Sequence, residues 1–102
     1  MIKCLSVMFM KSITVRTIKY QIIKDYRDAV DKEAITDNLT DYFDDYDYIL
    51  GDWASGRLRL KGFCTKENPK YKKLNDYETI ENYIKENCAY GCKHFILKKL
   101  SY

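Results

Sequence analysis

Proline is nearly missing from this 102-residue chain: Pro69 is the only one, and only four glycines and one histidine, His94, accompany it. That scarcity excludes a collagen-like repeat, a proline-rich linker and a glycine/serine tail. No run of about 18 apolar residues occurs, so the sequence predicts no transmembrane helix. A strong excess of one charge is also missing, since 18 basic and 15 acidic residues leave a net charge of +3. Composition alone therefore does not mark a nucleic-acid binder. Equally missing are a nucleophile–base signature, a phosphate-cradling glycine loop and a compact metal knuckle, so the chain reads as a binding module rather than an enzyme, with no cofactor.

What is present is globular. Apolar residues make up 46% and charged residues 32% of the chain, enough to build a core in one domain of this length. The charge is segregated. Asp28–Asp52 holds nine acids and one base, whereas Arg57–Lys73 holds seven bases and one acid. Adjacent blocks of opposite sign either neutralise each other in the fold or present a field to a partner. Ten tyrosines suit half-buried sheet surfaces and binding faces alike. The apolar stretch Cys4–Met10 is short for a signal peptide and lacks a small-residue cleavage site after it. The expectation is a cytoplasmic protein in which residues 1–10 are a non-native or dispensable extension.

Periodicity supplies the elements. Ser12–Ile23 is β-branched, with Ile13 and Val15 on one phase and Ile18, Tyr20 and Ile22 on the other. The change near Arg16-Thr17 predicts two short strands or one bent strand. Ile35, Leu39 and Phe43 fall four apart in a helix over Asp31–Phe43, capped by Asp28 or Asp31. Tyr46–Trp53 and Arg57–Phe63 form a hairpin through Ala54-Ser55-Gly56. Tyr46, Tyr48 and Leu50 share one face of the first strand. In the second strand Leu58 and Leu60 oppose Arg57, Arg59 and Lys61. Thr65–Lys73 is a basic loop. A second helix spans Asp76–Cys88, with Asn75 and Glu78 as an approximate capping box and Gly91 as its stop. Lys93–Leu100 is a final strand. The order β(β)-α-β-β-α-β predicts an α+β domain: an antiparallel-rich sheet of four to five strands with both helices packed on one face. A ferredoxin-like arrangement fits that order, and so does a more irregular sheet extended by the N-terminal hairpin.

Tyr46-Asp47-Tyr48-Ile49-Leu50-Gly51-Asp52-Trp53, followed by Arg57-Leu58-Arg59-Leu60-Lys61-Gly62-Phe63, resembles the YutD-like family of small bacterial proteins. Lys24-Asp25-Tyr26-Arg27-Asp28 resembles the segment leading into that family's first helix. Cys88-Ala89-Tyr90-Gly91-Cys92 with Phe95-Ile96-Leu97-Lys98 resembles its last strand region. The resemblance runs from about Tyr20 to Leu100 and implies an intracellular α+β protein. It carries over no catalytic residue.

Three constellations are candidate sites. The first is the hairpin's basic face: Arg57, Arg59 and Lys61, extended by Lys66, Lys70, Lys72 and Lys73. With Tyr46 or Tyr48 beside them, these bases would hold single-stranded RNA or a ribonucleoprotein by phosphate neutralisation and stacking. If the tyrosines are core residues instead, the face is an ion-paired sheet surface. The second is a polar pocket at Asp52, Trp53 and Arg27, with Asp25 and Asp28 nearby; a turn cap and a core-edge tryptophan explain the same residues. The third is Cys64, Cys88, Cys92 and His94, a conceivable zinc set whose spacing is poor. Cys88 and Cys92 could also form a redox pair, but ordinary reduced thiols are preferred. The leading functional expectation is RNA contact through the basic face. The alternative is a protein–protein adaptor whose acidic block, around Asp41, Asp44, Asp45 and Asp47, meets a basic partner; a small ligand-binding protein ranks third.

Overall fold

The computed structural model describes residues 11–87 and 92–100. Residues 1–10, the second helix's end at Cys88 and the stop at Gly91 lie outside that range. The described elements are β1 (Ser12–Val15), β2 (Ile18–Tyr26), α1 (Lys32–Asn38), β3 (Tyr48–Ala54), β4 (Arg57–Phe63), α2 (Ile80–Asn87) and β5 (His94–Lys99). Short 3-10 turns span Asp41–Phe43, Lys73–Asn75 and Tyr77–Thr79. The strands form one five-stranded sheet in the order β1-β2-β5-β3-β4, and every neighbouring pair is antiparallel.

The expected phase change is a hairpin: Val15 pairs with Ile18, and Arg16 takes a left-handed φ of 57° between them. The second hairpin closes with Ala54 opposite Arg57. Ser55 and Gly56 both have positive φ there, the type I′ geometry that matches strand twist. β2 carries a bulge at Ile23, because Ile22 pairs with Leu97 but Lys24 pairs with Ile96. The extra residue flips the facing of everything after it.

The helices lie on opposite faces of the sheet, which corrects the expectation that both share one. Ile35 and Leu39 of the α1 region pack with Tyr20, Ile49, Phe95 and Leu97. Ile80 and Ile84 of α2 pack with Leu50, Phe63 and Ile96. Ile49 and Leu50 are consecutive, as are Phe95, Ile96 and Leu97, and all five are buried. Strands covered on both faces read as unbroken apolar runs. The sheet is the irregular alternative, not the ferredoxin-like one, which carries both of its helices on one face. Burying an aliphatic or phenyl side chain contributes about 1.5–3 kcal/mol. The α1 side, with nine fully buried apolar residues against four, therefore carries most of the stabilisation.

Both helices are shorter than their periodicity suggests. Asp31 caps α1 by accepting from the Ala34 N–H at 3.1 Å. The helix ends at Asn38, because Leu39 turns extended (φ −87°, ψ 94°) while its N–H still reaches the Ile35 carbonyl. Phe43 joins the same apolar cluster from a 3-10 turn. Before α2 the capping residue is Asp76, which accepts from Glu78 N–H at 2.9 Å. Asn75 instead staples the preceding loop: its side-chain oxygen accepts from Lys72 N–H at 2.7 Å and its amide donates to the Lys70 carbonyl at 3.0 Å.

Candidate functional site

An open cleft of about 770 Å³ stands out among the described residues. It lies between the β1–β2 turn, the Asp44–Asp47 segment and the Thr65–Lys70 loop, with Lys99 in its lining. Asp47 organises one wall. Its carboxylate accepts from the Thr65 N–H at 2.9 Å, the Thr65 hydroxyl at 3.2 Å and the Asn68 amide at 3.0 Å. Asn68 also donates to the Asp45 carbonyl at 2.8 Å, tying the loop to the strand entry. On the other side Arg16 holds Asp44 through bonds of 2.6 and 3.3 Å. The Lys99 ammonium is buried and donates to the Asp44 carbonyl.

The lining carries four carboxylates, Asp44, Asp45, Asp47 and Glu67, against two ammonium groups, Lys70 and Lys99. Asp44 is engaged by Arg16 and Asp47 by the loop. Asp45 faces Lys70 only at 3.9 Å, with its side chain 65% exposed. Loosely paired in this way, and with Glu67 exposed beside it, it keeps negative charge accessible at the rim. Burial, followed by the charge of Asp44, pushes the Tyr20 hydroxyl above its ordinary range, and Arg16 partly offsets that. Burial, then Asp47, likewise pushes the Cys64 thiol up.

The basic hairpin face has a different layout from the expected one. Tyr48 does share a face with Arg59 and Lys61, as its pairing with Phe63 requires, but that face is covered by α2. Tyr48 stacks on Tyr77 with ring centroids 3.6 Å apart. Tyr46 precedes the strand and turns to the opposite face, where it packs with the α1 cluster and lies against Gly62. Arg59 holds Asp52 through bonds of 2.9 and 2.7 Å and also donates to the Asn87 carbonyl. Lys61 sits over the rings of Phe63 and Tyr83 at 5.2 and 5.3 Å. Arg57, Lys66, Lys70, Lys72 and Lys73 are exposed, but neither Tyr46 nor Tyr48 stands free beside them as a stacking platform.

The suggested polar pocket does not assemble. Asp52 points to the α2 face and is buried, whereas Trp53 points to the α1 face and donates its indole N–H to the Ala29 carbonyl at 2.9 Å. Arg27 is an exposed corner residue with positive φ, set against its neighbour Tyr26. Asp25 accepts from the Ala29 and Val30 N–H groups at 2.7 and 3.2 Å, which shapes that corner, and Asp28 is exposed beside it.

Of the conceivable zinc set, Cys64, Cys92 and His94 are described. Cys64 is a buried free thiol, Cys92 is disulfide-bonded, and Cys88 lies outside the described residues. His94 is buried and stacks on Tyr26. Among the described residues, no three metal-ligating side chains converge. The preference for reduced thiols thus holds at Cys64 and is corrected at Cys92.

Sequence reasoning missed Lys99, although the signal was there: Lys99 keeps the buried phase of Phe95 and Leu97. Thr65 and Asn68 carried no such signal, since their role arises only where the loop folds back on Asp47.

The comparisons agree with one another. No described helix is long and apolar enough to cross a membrane. A curated relative, "Putative antitoxin YutD" of Bacillus subtilis (strain 168), is 35% identical over 88 residues, covering 86% of this chain and 97% of the relative. The solution NMR structure of protein yutD from B. subtilis superposes with a TM-score of 0.72 at 34% identity, covering 88% of this chain and 82% of that one. The family described as "Putative antitoxin YutD-like" matches residues 14–98, and the chain belongs to it.

Proposed function

We propose that this protein works by binding another protein, in the antitoxin-type role that its family's description names, and that its acidic cleft receives basic side chains of the protein it restrains. The observation that carries this reading is the state of the charges. At the cleft, Asp45 and Glu67 stand at an open rim. On the hairpin, Arg59 is already committed to Asp52 and Tyr48 to Tyr77. RNA contact through Arg57, Arg59 and Lys61 has less support, because the bases lack a free stacking partner.

The test is fluorescence anisotropy with a labelled arginine-rich peptide at several salt concentrations, with Asp45→Asn/Glu67→Gln beside the wild type. Rim ion pairs contribute about 0.2–1 kcal/mol each, so the double variant should weaken binding roughly 2- to 30-fold. Added salt should weaken the wild type in the same direction. Equal affinity of the two proteins for the peptide would overturn the reading. So would tight binding of a short single-stranded RNA that is lost in Arg57→Ala.

A further inference from the structure

β4 forms one edge of the sheet, and its hydrogen-bonding directions can be read from its neighbours. Lys99 N–H donates to the Asp47 carbonyl and Trp53 N–H to the Lys93 carbonyl, so the odd-numbered residues of β3 bond toward β5. Backbone groups alternate sides along an antiparallel strand. The even-numbered residues of β3 therefore bond toward β4, where they pair with Phe63, Lys61, Arg59 and Arg57. The N–H and C=O groups of Leu58, Leu60 and Gly62 are left pointing outward. Among the described residues, no backbone bond to them is found on that side.

One residue farther along the same phase, the edge is already in use. The Cys64 N–H donates to the Asn75 carbonyl at 2.8 Å and the Cys64 carbonyl accepts from the Tyr77 N–H at 3.0 Å, a parallel bridge between Cys64 and Asp76. The chain thus lays a short piece of itself on the outer edge of β4, Gly62 beside it is buried, and the stretch at Leu58 and Leu60 is left open. Leu74, 84% exposed, lies just before that junction.

We propose that the open edge of β4 docks an extended segment of a partner protein in which acidic and apolar residues alternate. A strand added there would place every second side chain beside Arg57 and Lys61 on the α2 face, with Arg59 between them already holding Asp52. The intervening side chains would lie beside Leu58 and Leu60, which border the α1 core. Main-chain bonds supply affinity in such strand addition and the alternating side chains supply selectivity. A second copy of β4 would set the three bases against their own kind, and like charges directly opposite are destabilising. The bases therefore protect the edge from self-pairing while suiting an acidic guest. This site is separate from the acidic cleft and opposite to it in sign.

The experiment is amide hydrogen exchange by NMR on the full chain, with a synthetic peptide of alternating glutamate and valine as the probe. At about ten times its dissociation constant, exchange at Leu58 and Leu60 should slow roughly tenfold. Arg59 and Lys61, bonded inward, should not change. Arg57→Glu/Lys61→Glu should abolish the effect. Asp45→Asn/Glu67→Gln should leave it intact, so that failure here does not bear on the cleft. The proposal is overturned if the two amides are unaffected by saturating peptide. It is also overturned if a peptide N-methylated at alternate residues protects them equally, or if a short single-stranded RNA does so in its place. Protection already present in the free protein would assign the edge elsewhere: to a second copy if it grows with protein concentration, and to residues 1–10 if it vanishes on their removal.

Discussion

Asp52 and Arg59 sit directly opposite each other on β3 and β4, and the guanidinium grips the carboxylate through two bonds, 2.9 and 2.7 Å long. The carboxylate side chain is only 8% exposed, the guanidinium side chain 54%. Arg59→Ala should therefore do more harm than the loss of a surface ion pair, because a buried carboxylate is left without its partner. The expected cost is about 1–3 kcal/mol, read by urea unfolding. Asp52→Leu/Arg59→Leu should recover much of it, since a buried pair replaced on both sides by apolar groups is often near neutral. A double variant less stable than Arg59→Ala would contradict this account.

Two glycines offer a graded test of packing. A methyl group on Gly51 would lie 2.1 Å from the Phe95 ring, and one on Gly62 would lie 2.4 Å from the ring of Tyr46. Phe95 is fully buried between strands, whereas Tyr46 is only partly buried and can swing outward. Gly51→Ala should cost about 3 kcal/mol or more, as overpacking in a rigid site does, and Gly62→Ala closer to 1 kcal/mol. Thermal melts of the two variants give the order, and equal shifts would refute it.

Asp47 should control the shape of the cleft. Its carboxylate holds Thr65 and Asn68, so Asp47→Ala should release the Thr65–Lys70 loop at a cost of about 1–3 kcal/mol. Limited proteolysis should then cut within that loop faster than in the wild type. An unchanged cleavage pattern would show that the loop is held by other means.

Alkaline pH should destabilise the fold through its tyrosines. Burial pushes the hydroxyls of Tyr20, Tyr48 and Tyr77 above the ordinary tyrosine range. Tyr71 is raised mainly by its bond to Asp76. Tyr46, which donates to Tyr42, is pushed up to about 12. The folded state thus favours the neutral phenols. This contribution is complete below the ordinary tyrosine range and is lost as pH rises through the elevated values. The native protein should show less tyrosinate absorbance than the denatured protein at the same alkaline pH, and its urea midpoint should fall over that interval. Coincident titration curves would disprove it.

Element positions were legible from the chain where periodicity was clean. The Val15–Ile18 turn, the Ser55-Gly56 turn and the Asp31 cap all follow from local chemistry that needs no partner. The facing of the helices was not legible, because Ile49-Leu50 and Phe95-Ile96-Leu97 contain no alternation from which a single buried side could be inferred. Tyr46 misled for a related reason. It is in phase with Tyr48, but it stands before the strand begins and so does not share its face. Asp44, Asp45 and Asp47 could be named as a charged block. Their enclosure of a cleft with Lys99 depends on a contact spanning 55 positions of chain, which no local pattern encodes.

The bulge at Ile23 sets the reading frame of the sheet's second strand. With that residue inserted, Asp25 falls opposite Phe95 and Lys24 opposite Ile96, and the Asp25 carboxylate can cap the corner that leads into α1. Were the same residues paired in regular register without the bulge, Lys24 would fall opposite Phe95, its ammonium would aim at the α1 core and the corner would be left uncapped. The place of the bulge, more than the identity of the residues after it, therefore decides which of them face α1 and which face α2.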